Sequence, residues 1–264
     1  MNRNDATVPA GVRRVWSSTS GDDSAPPIVL VHGSMDRSAG LLRLARRLRD
    51  RYYVIRYDRR GYARSLAVGP PFAFDDQVAD LVAVIEEYQV APVALFGHSF
   101  GGNVALALAD RRPDLVSAVA VHESPMSWLD WWPDGSPGGV ALSTRSAGDA
   151  AEAFMRAVVG DERWCDVHQR VRESRRLEGP AMVAELQDLR SRAPWAGDRI
   201  DAPVLAIHGE HARLFHRRAM EELSRAVPDG RLVEIEGAGH TGPHTHADGT
   251  ADALIRFLRE HPDG

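Results

Sequence analysis

The chain has 264 residues, enough for one large domain with a sizeable core, and 44% of them are hydrophobic. Its net charge of −5 argues against nucleic acid as the main partner. All 32 basic residues are arginine, which excludes the P-loop lysine of nucleotide hydrolases and lysine Schiff-base chemistry.

No apolar run approaches the ~20 residues that span a bilayer. The N-terminal stretch MNRNDATVPAGVRRVW lacks the apolar segment of a secretory signal. We therefore expect a cytoplasmic protein that does not bind membranes. The single cysteine, Cys165, excludes an internal disulfide and a thiolate metal cluster.

Short apolar runs alternate with amphipathic segments along the chain, which is typical of a parallel sheet covered by helices. Several runs are rich in Val, Ile and Ala without clean alternation, as in strands that are buried on both faces. A hairpin is predicted first, around VRRVWSSTSGDD. Further strands are predicted at 26–33, 52–61, 92–99, 116–124, 203–210 and 231–237, with helices near 38–50, 75–89, 101–111, 216–227 and 247–260.

The alternation stops between residues 125 and 199. This segment has no evident strand, but it holds five of the six tryptophans. The sequence therefore predicts a core formed by residues 1–124 and 200–264, with a helical cap, or lid, inserted at 125–199. Helical patterns within the cap lie around 149–159, 162–177 and 180–191.

A serine motif lies between a predicted strand and a predicted helix. Gly97-His98-Ser99-Phe100-Gly101 matches G-x-S-x-G, with VALF before it and NVALALADRR soon after it. A serine on so tight a turn adopts strained backbone angles, and neighbouring glycines prevent clashes. The turn lifts the hydroxyl above the sheet edge, so we predict Ser99 as a nucleophile.

With two further motifs, the chain resembles the α/β-hydrolase superfamily. His32-Gly33 ends the first central strand, as HG does in these proteins. DRRGYARS (58–65) fits the family's D-x-R-G-x-G-x-S, except that Ala63 replaces the second glycine. The resemblance covers most of the chain and implies a mostly parallel α/β-hydrolase sheet flanked by helices, with an inserted helical cap.

The resemblance also implies roles for individual residues. The N–H groups of Ser34 and Phe100 would form the oxyanion hole, which binds the negative oxygen of a tetrahedral intermediate. His32 and His98 would be structural parts of their turns. His240 follows the last strand in EGAGHTGPH, the usual family position of the catalytic histidine.

A zinc site built from His240, His244 and His246 is the rival interpretation of this loop. The sequence offers no clear carboxylate partner for such a three-ligand site, and the loop is rich in Gly and Pro. We therefore predict His240 as the general base, with neither a metal nor another cofactor.

The acid of the expected triad is harder to find. Hydrolases of this kind often carry an aspartate three residues after a glycine like Gly209, but here that position is Ala212. Active sites of open parallel sheets lie at the carboxyl ends of strands, so only acids just after a strand are eligible. Glu123 and Glu210 meet this condition, whereas Asp201 precedes its strand.

Glu123 is the stronger candidate, because its strand is the spatial neighbour of the nucleophile strand in this superfamily. Adjacent strands are ~4.8 Å apart, so Glu123 would start about one strand spacing from Ser99. The order Ser99, Glu123, His240, with HESP around the acid, resembles that of zearalenone-type lactonases. We predict Glu123 as the acid, with Glu210 or an incomplete triad as the alternatives.

Met126, Trp128, Trp131 and Trp132 follow the acid. They would either wall a pocket for an apolar or aromatic acyl group or only join cap to core, and both interpretations remain open. We predict a cofactor-independent serine hydrolase that cleaves a small-molecule carboxylic ester or lactone through an acyl-enzyme. The same fold also supports acyl transfer, C–C bond hydrolysis and perhydrolysis, and a noncatalytic small-molecule sensor would keep the pocket.

Overall fold

A seven-stranded sheet lies at the centre of the computed structural model, which describes residues 14–261. Its strands are β1 (Ser17–Ser20), β2 (Pro27–Val31), β3 (Tyr53–Tyr57), β4 (Val93–His98), β5 (Val116–His122), β6 (Val204–Gly209) and β7 (Gly230–Ile235). They lie in the order β1-β3-β2-β4-β5-β6-β7. Only the β1–β3 pair is antiparallel among these strands, and each of the six predicted runs overlaps one of β2 to β7.

Helices cover both faces of this sheet, which confirms the predicted fold class. They are α1 (Leu42–Leu48), α2 (Phe74–Tyr88), α3 (Phe100–Arg111), α4 (Pro137–Leu142), α5 (Ala147–Val159), α6 (Asp161–Asp166), α7 (Gln169–Leu177), α8 (Gly179–Ser191), α9 (Leu214–Ala226), α10 (Gly242–Thr245) and α11 (Ala247–Glu260). Within residues 14–261, no helix combines the length and the apolar character that crossing a membrane requires.

The N-terminal strand pairs differently from the predicted hairpin. β1 runs antiparallel to β3, with Ser17 opposite Tyr57 and Ser20 opposite Val54. β2 is not available to it, because β3 and β4 already occupy both of its edges. Residues 12 and 13 of the predicted hairpin lie outside the described residues.

Alternate residues of the central strands point into two hydrophobic layers. In β2, Val29 and Val31 belong to the layer formed with α2 and α3, whereas Ile28 and Leu30 belong to the layer formed with α1 and α11. All four side chains are fully buried. Burial of one such side chain contributes about 1.5–3 kcal/mol, so the strands and helices stabilise each other.

Residues 125–199 lie between β5 and β6 in the chain and contain α4 to α8 without a strand. The predicted pattern over 162–177 is two helices, because Val167 has extended backbone and ends α6. The His168 side chain then accepts a hydrogen bond from the N–H of Arg170 at the start of α7. The sequence analysis missed α4, because this helix has only six residues and its sequence, PGGVAL, contains two glycines.

A buried ion pair joins this inserted segment to the core. Arg59 follows β3, and its guanidinium donates to the carboxylate of Glu185 in α8 at 2.8 Å. Both side chains are 0% exposed. The same guanidinium donates to Gln77 and to the carbonyl oxygen of His32, and the Tyr62 hydroxyl donates to Glu185. The position of α8 over the sheet therefore depends on a charge that has no access to water.

Glu185→Gln keeps the shape of this contact but removes its negative charge. We expect the free energy of unfolding to fall by about 3–5 kcal/mol, because the Arg59 charge stays buried without a counter-ion. The matched control is Glu222→Gln in the exposed Arg218–Glu222 pair, where the side chains are 53% and 33% exposed. That change costs at most about 1 kcal/mol. Urea denaturation measures the free energy of unfolding of both variants, and an equal decrease in the two would contradict the argument.

Candidate active site

Ser99 lies on a strained turn between β4 and α3. Its φ of 53° is positive, which is uncommon for a residue with a side chain. The turn is tight as well, because a Cβ on Gly97 would lie 2.3 Å from the Gly102 Cα, and one on Gly101 would lie 2.4 Å from the Val31 carbonyl oxygen. α3 begins directly after Ser99, so its positive N-terminal end faces the hydroxyl. Backbone strain of this kind is concentrated at functional sites.

One narrow cavity opens where the strands end. From the sheet domain it is lined by Ser34, Ser99, Phe100, His216 and His240, and from residues 125–199 by Trp132, Pro137, Phe154, Val158, Leu186 and Arg190, among others. The expected nucleophile, base and oxyanion-hole residues thus line the same cavity, and the inserted segment forms the wall opposite them. A larger and more open cleft runs along β7 and α11, away from these residues.

Glu123 leaves the end of β5 with a positive φ of 49° and is fully buried. Three N–H groups from different parts of the chain donate to its carboxylate. The Gly209 N–H lies 3.1 Å from Oε1, while the Nδ1 atoms of His216 and His240 lie 3.0 Å and 2.9 Å from Oε2. The structure therefore brings together the acid and the base that the sequence analysis selected.

These contacts decide the charge of Glu123 and the tautomer of His240. Burial acts to raise the pKa of the Glu123 carboxyl, but hydrogen bonds from His216 and His240 outweigh it and hold this pKa well below its ordinary value. An ionised carboxylate only accepts hydrogen bonds, so Nδ1 of His240 carries the proton. Nε2 is therefore the nitrogen of His240 that can exchange a proton.

His216 is the residue of this site that sequence reasoning missed. Its ring stacks on that of His240, with centroids 4.4 Å apart and an interplanar angle of 21°. Burial lowers the pKa of His216 to about 4. The sequence does contain one signal for it. His216 lies on the buried face of α9 with Ala219, Met220 and Leu223, and α9 follows β6, whose last residue contacts Glu123.

The alternative acid lies elsewhere. Glu210 is exposed, and its Oε2 accepts a hydrogen bond from the N–H of Gly237 at 2.8 Å.

Two histidines of the rival zinc interpretation, His244 and His246, contact different groups. His244 Nε2 lies 3.2 Å from a carboxylate oxygen of Asp36, and His246 Nδ1 contacts the Thr245 hydroxyl.

The two histidines at the strand ends make backbone contacts. In His32, Nδ1 donates to the Gly33 carbonyl oxygen at 2.8 Å, and Nε2 accepts from the N–H of Arg59 at 2.9 Å. Burial lowers the pKa of His32 to about 4. His98 Nε2 donates to the carbonyl oxygen of His240 at 2.8 Å. His32 thus contacts the backbone of its own turn and of the segment after β3, whereas His98 contacts the backbone of the loop after β7.

Of the four apolar residues after the acid, Trp132 lines the cavity. Met126 is buried in the core, and the Trp128 ring meets that of Trp195 edge-on at 5.5 Å. The Arg218 guanidinium lies over the Trp131 ring, 4.1 Å from its centroid. A substrate-binding role for Met126, Trp128 and Trp131 stays a prediction.

Known proteins resemble the chain along most of its length. It is 27% identical to 2-(acetamidomethylene)succinate hydrolase of Mesorhizobium japonicum, over 94% of this chain and 93% of that protein. It is 25% identical to rhodomycin D methylesterase of Streptomyces peucetius, over 93% and 95% of the two chains.

A crystal structure of an alpha/beta hydrolase from Sphaerobacter thermophilus is similar with a TM-score of 0.71 and 28% identity. The similarity covers 92% of this chain and 96% of that one. The model of the alpha/beta hydrolase family matches residues 28–253. The chain therefore belongs to the alpha/beta hydrolase family.

Proposed function

We propose that this protein is a serine hydrolase that cleaves a carboxylic ester or lactone through an acyl-enzyme intermediate. The observation that carries the proposal is the buried Glu123 carboxylate on Nδ1 of His240, in a cavity that Ser99 also lines. A nucleophile, a base and a group that orients the base are what acyl transfer to serine requires. The esterases and hydrolases among the relatives support the same reaction class.

The chemistry begins at Ser99. Its hydroxyl attacks the substrate carbonyl while Nε2 of His240 takes the proton, and the Glu123 carboxylate stabilises the imidazolium that forms. The negative oxygen of the tetrahedral intermediate is bound by the N–H groups of Ser34 and Phe100. His240 then returns the proton to the leaving alkoxide, and the acyl group stays on Ser99.

A water molecule completes the cycle. His240 Nε2 removes a proton from this water as its oxygen attacks the acyl carbon, and the same two N–H groups bind the second oxyanion. Protonation of the Ser99 oxygen by His240 releases the carboxylic acid. Each step needs this proton to stay on Nδ1 of His240, in its hydrogen bond to the Glu123 carboxylate. The second hydrogen bond to that Oε2, from His216, keeps the carboxylate in place.

We also propose that residues 125–199 act as a cap over this cavity and that the acyl group is apolar or aromatic. Trp132, Phe154 and Leu186 supply an apolar wall facing the nucleophile. Arg190 lines the same wall and donates to the Ser136 hydroxyl at 3.3 Å, so a polar end of the substrate would meet a guanidinium.

Ser99→Ala tests the nucleophile. We expect kcat to fall by a factor on the order of 10⁶. The assay uses p-nitrophenyl esters of graded acyl length beside a panel of aromatic lactones. A fluorophosphonate probe should label the wild type but not the variant. The control is Ser127→Ala, which removes another hydroxyl from the same cavity. Retention of a tenth of the activity by Ser99→Ala would rule the assignment out.

Glu123→Gln tests the acid. The amide preserves the volume but removes the charge that stabilises the imidazolium and holds its tautomer, so kcat should fall by roughly 10⁴. Glu210→Gln is the control, because Glu210 accepts its hydrogen bond from Gly237 and belongs to a different turn. Circular dichroism verifies that both variants are folded. An active Glu123→Gln enzyme, or an inactive Glu210→Gln enzyme, would contradict the assignment of the acid.

Trp132→Ala tests the pocket wall. Removing this ring enlarges the cavity, so the preference between long and short acyl esters should shift about tenfold toward the bulkier substrate. Trp128→Ala is the matched control, because its ring packs on Trp195. We expect that change to lower the melting temperature without altering the preference. The ratio of kcat/KM values measures both, and an unchanged ratio in Trp132→Ala would remove this residue from the specificity pocket.

A further inference from the structure

A second group of chemically capable side chains lies beside the proposed active site. Asp36 follows β2, His98 ends β4 and His244 belongs to α10. One potential ligand atom from each residue lies within 4.8 Å of the other two. The proposed hydrolysis uses none of these three side chains in a chemical step.

One polar atom of each residue in this cluster lacks an aligned hydrogen bond, although Asp36 Oδ2 and His244 Nε2 lie within ion-pair distance of each other. Asp36 Oδ2, His98 Nδ1 and His244 Nε2 are all buried, and among residues 14–261 none of them has a hydrogen-bond partner. A buried polar atom without a partner lowers the stability of the fold, because its hydration is lost and not replaced. Three such atoms close together indicate a binding site for a group that satisfies all of them.

The spacing of the atoms fits a metal ion. Asp36 Oδ2 and His244 Nε2 are 3.2 Å apart without the alignment of a hydrogen bond. Two ligands of a tetrahedral zinc with bonds of about 2.0–2.1 Å lie about 3.3 Å from each other. The separation of these two atoms is thus that of neighbouring zinc ligands.

The hydrogen bond that His98 makes is also the one expected of a metal-binding histidine. Its Nε2 donates to the carbonyl oxygen of His240 at 2.8 Å, which leaves Nδ1 with a lone pair. Metal-binding histidines almost always donate their other ring N–H to a carbonyl or carboxylate oxygen, which fixes the tautomer. Here the carbonyl oxygen of His240 accepts that hydrogen bond and fixes the tautomer of His98.

We propose that Asp36, His98 and His244 bind a divalent transition metal, with zinc as the best match. Two imidazole nitrogens and one carboxylate oxygen form a common zinc ligand set, and three protein ligands leave the fourth position for water. The sequence analysis dismissed a metal at His244 for want of a carboxylate. The fold supplies one in Asp36, which lies more than two hundred positions earlier in the chain.

A competing cluster is less suited to a metal. Glu123, His216 and His240 also present ligand atoms within 4.8 Å of each other. Those carboxylate oxygens already accept from Gly209, His216 and His240, so an ion would have to break existing hydrogen bonds. At Asp36, His98 and His244 an ion would replace a single contact, that between Asp36 Oδ2 and His244 Nε2, which are 3.2 Å apart without hydrogen-bond alignment.

A bound ion would tie together three loops of the active site. Asp36 lies two positions after Ser34, His98 directly precedes Ser99, and His244 belongs to the loop and helix after His240. The metal would hold the oxyanion, nucleophile and base loops at fixed separations. The proposal gives the ion no chemical step, and zinc binding does not depend on the hydrolase proposal.

Zinc titration of the full chain tests the site. Protein freed of metal by a chelator should take up one tightly bound zinc per chain. At a hundredfold excess of zinc over its dissociation constant, the melting temperature should rise by about 5 °C. Asp36→Asn and His244→Gln should each weaken binding by more than the ten- to hundredfold that the loss of an outer partner costs. His246→Gln, two positions from His244, should bind zinc like the wild type.

Three results would overturn the proposal. The wild type would bind no zinc tightly and show no shift in melting temperature, or Asp36→Asn and His244→Gln would both retain the ion. Alternatively, His216→Asn alone would abolish binding, which would assign the metal to Glu123 instead. If the Asp36 and His244 variants fail to fold, cobalt titration of the wild type decides. An absorption spectrum of four-coordinate cobalt supports the site, and a six-coordinate spectrum rejects it.

Discussion

The buried Glu123 carboxylate is the constraint on which the rest of this site depends. A charge that is fully removed from water is stable only where hydrogen bonds replace its hydration. Three N–H groups do so, and they come from the end of β6, from α9 and from the loop after β7. The positions of these three elements are therefore coupled to one side chain at the end of β5. With the Gly209 N–H and two imidazoles gathered on Glu123, the carboxylate that contacts His240 comes from the end of β5 and not from position 212.

The inserted segment is held by carboxylates in the same way. Glu178 and Glu185 of this segment are both buried and bind groups that follow β2 and β3. Glu178 accepts from the N–H of Ala63, whose φ of 46° is one that glycine adopts more easily. Ala63, where the chain differs from the family motif, thus donates a hydrogen bond to Glu178 in the segment over the cavity. The wall that carries Trp132 is consequently positioned by charge as well as by apolar packing.

Sequence reasoning succeeded where the information is local. The central strands were predictable because strands buried on both faces are continuous apolar runs. The position of Glu123 near His240 was predictable because acids at the carboxyl ends of strands share one edge of the sheet. His216 was missed because a lone histidine on an amphipathic helix carries no motif. Asp36 was missed because its partners His98 and His244 are distant in sequence. The pairing of β1 depended on which sheet edge the other strands leave open.

The two histidine–carboxylate clusters each contain one acid and two histidines. They differ in the hydrogen bonds that these side chains make, and this difference suits them to different chemistry. Around Glu123, both carboxylate oxygens accept from N–H groups, so the proton on Nδ1 of His240 is held in place and Nε2 is the nitrogen that can exchange a proton. Around Asp36, the corresponding atoms lack aligned hydrogen bonds, and the one close contact is that of Asp36 Oδ2 with His244 Nε2 at 3.2 Å, which a cation could replace. One hydrogen bond connects the clusters, from His98 Nε2 to the carbonyl oxygen of His240. Because it fixes the His98 tautomer and holds the His240 backbone, it couples the positions of the proposed ligand nitrogen and the proposed proton-transfer nitrogen across two loops.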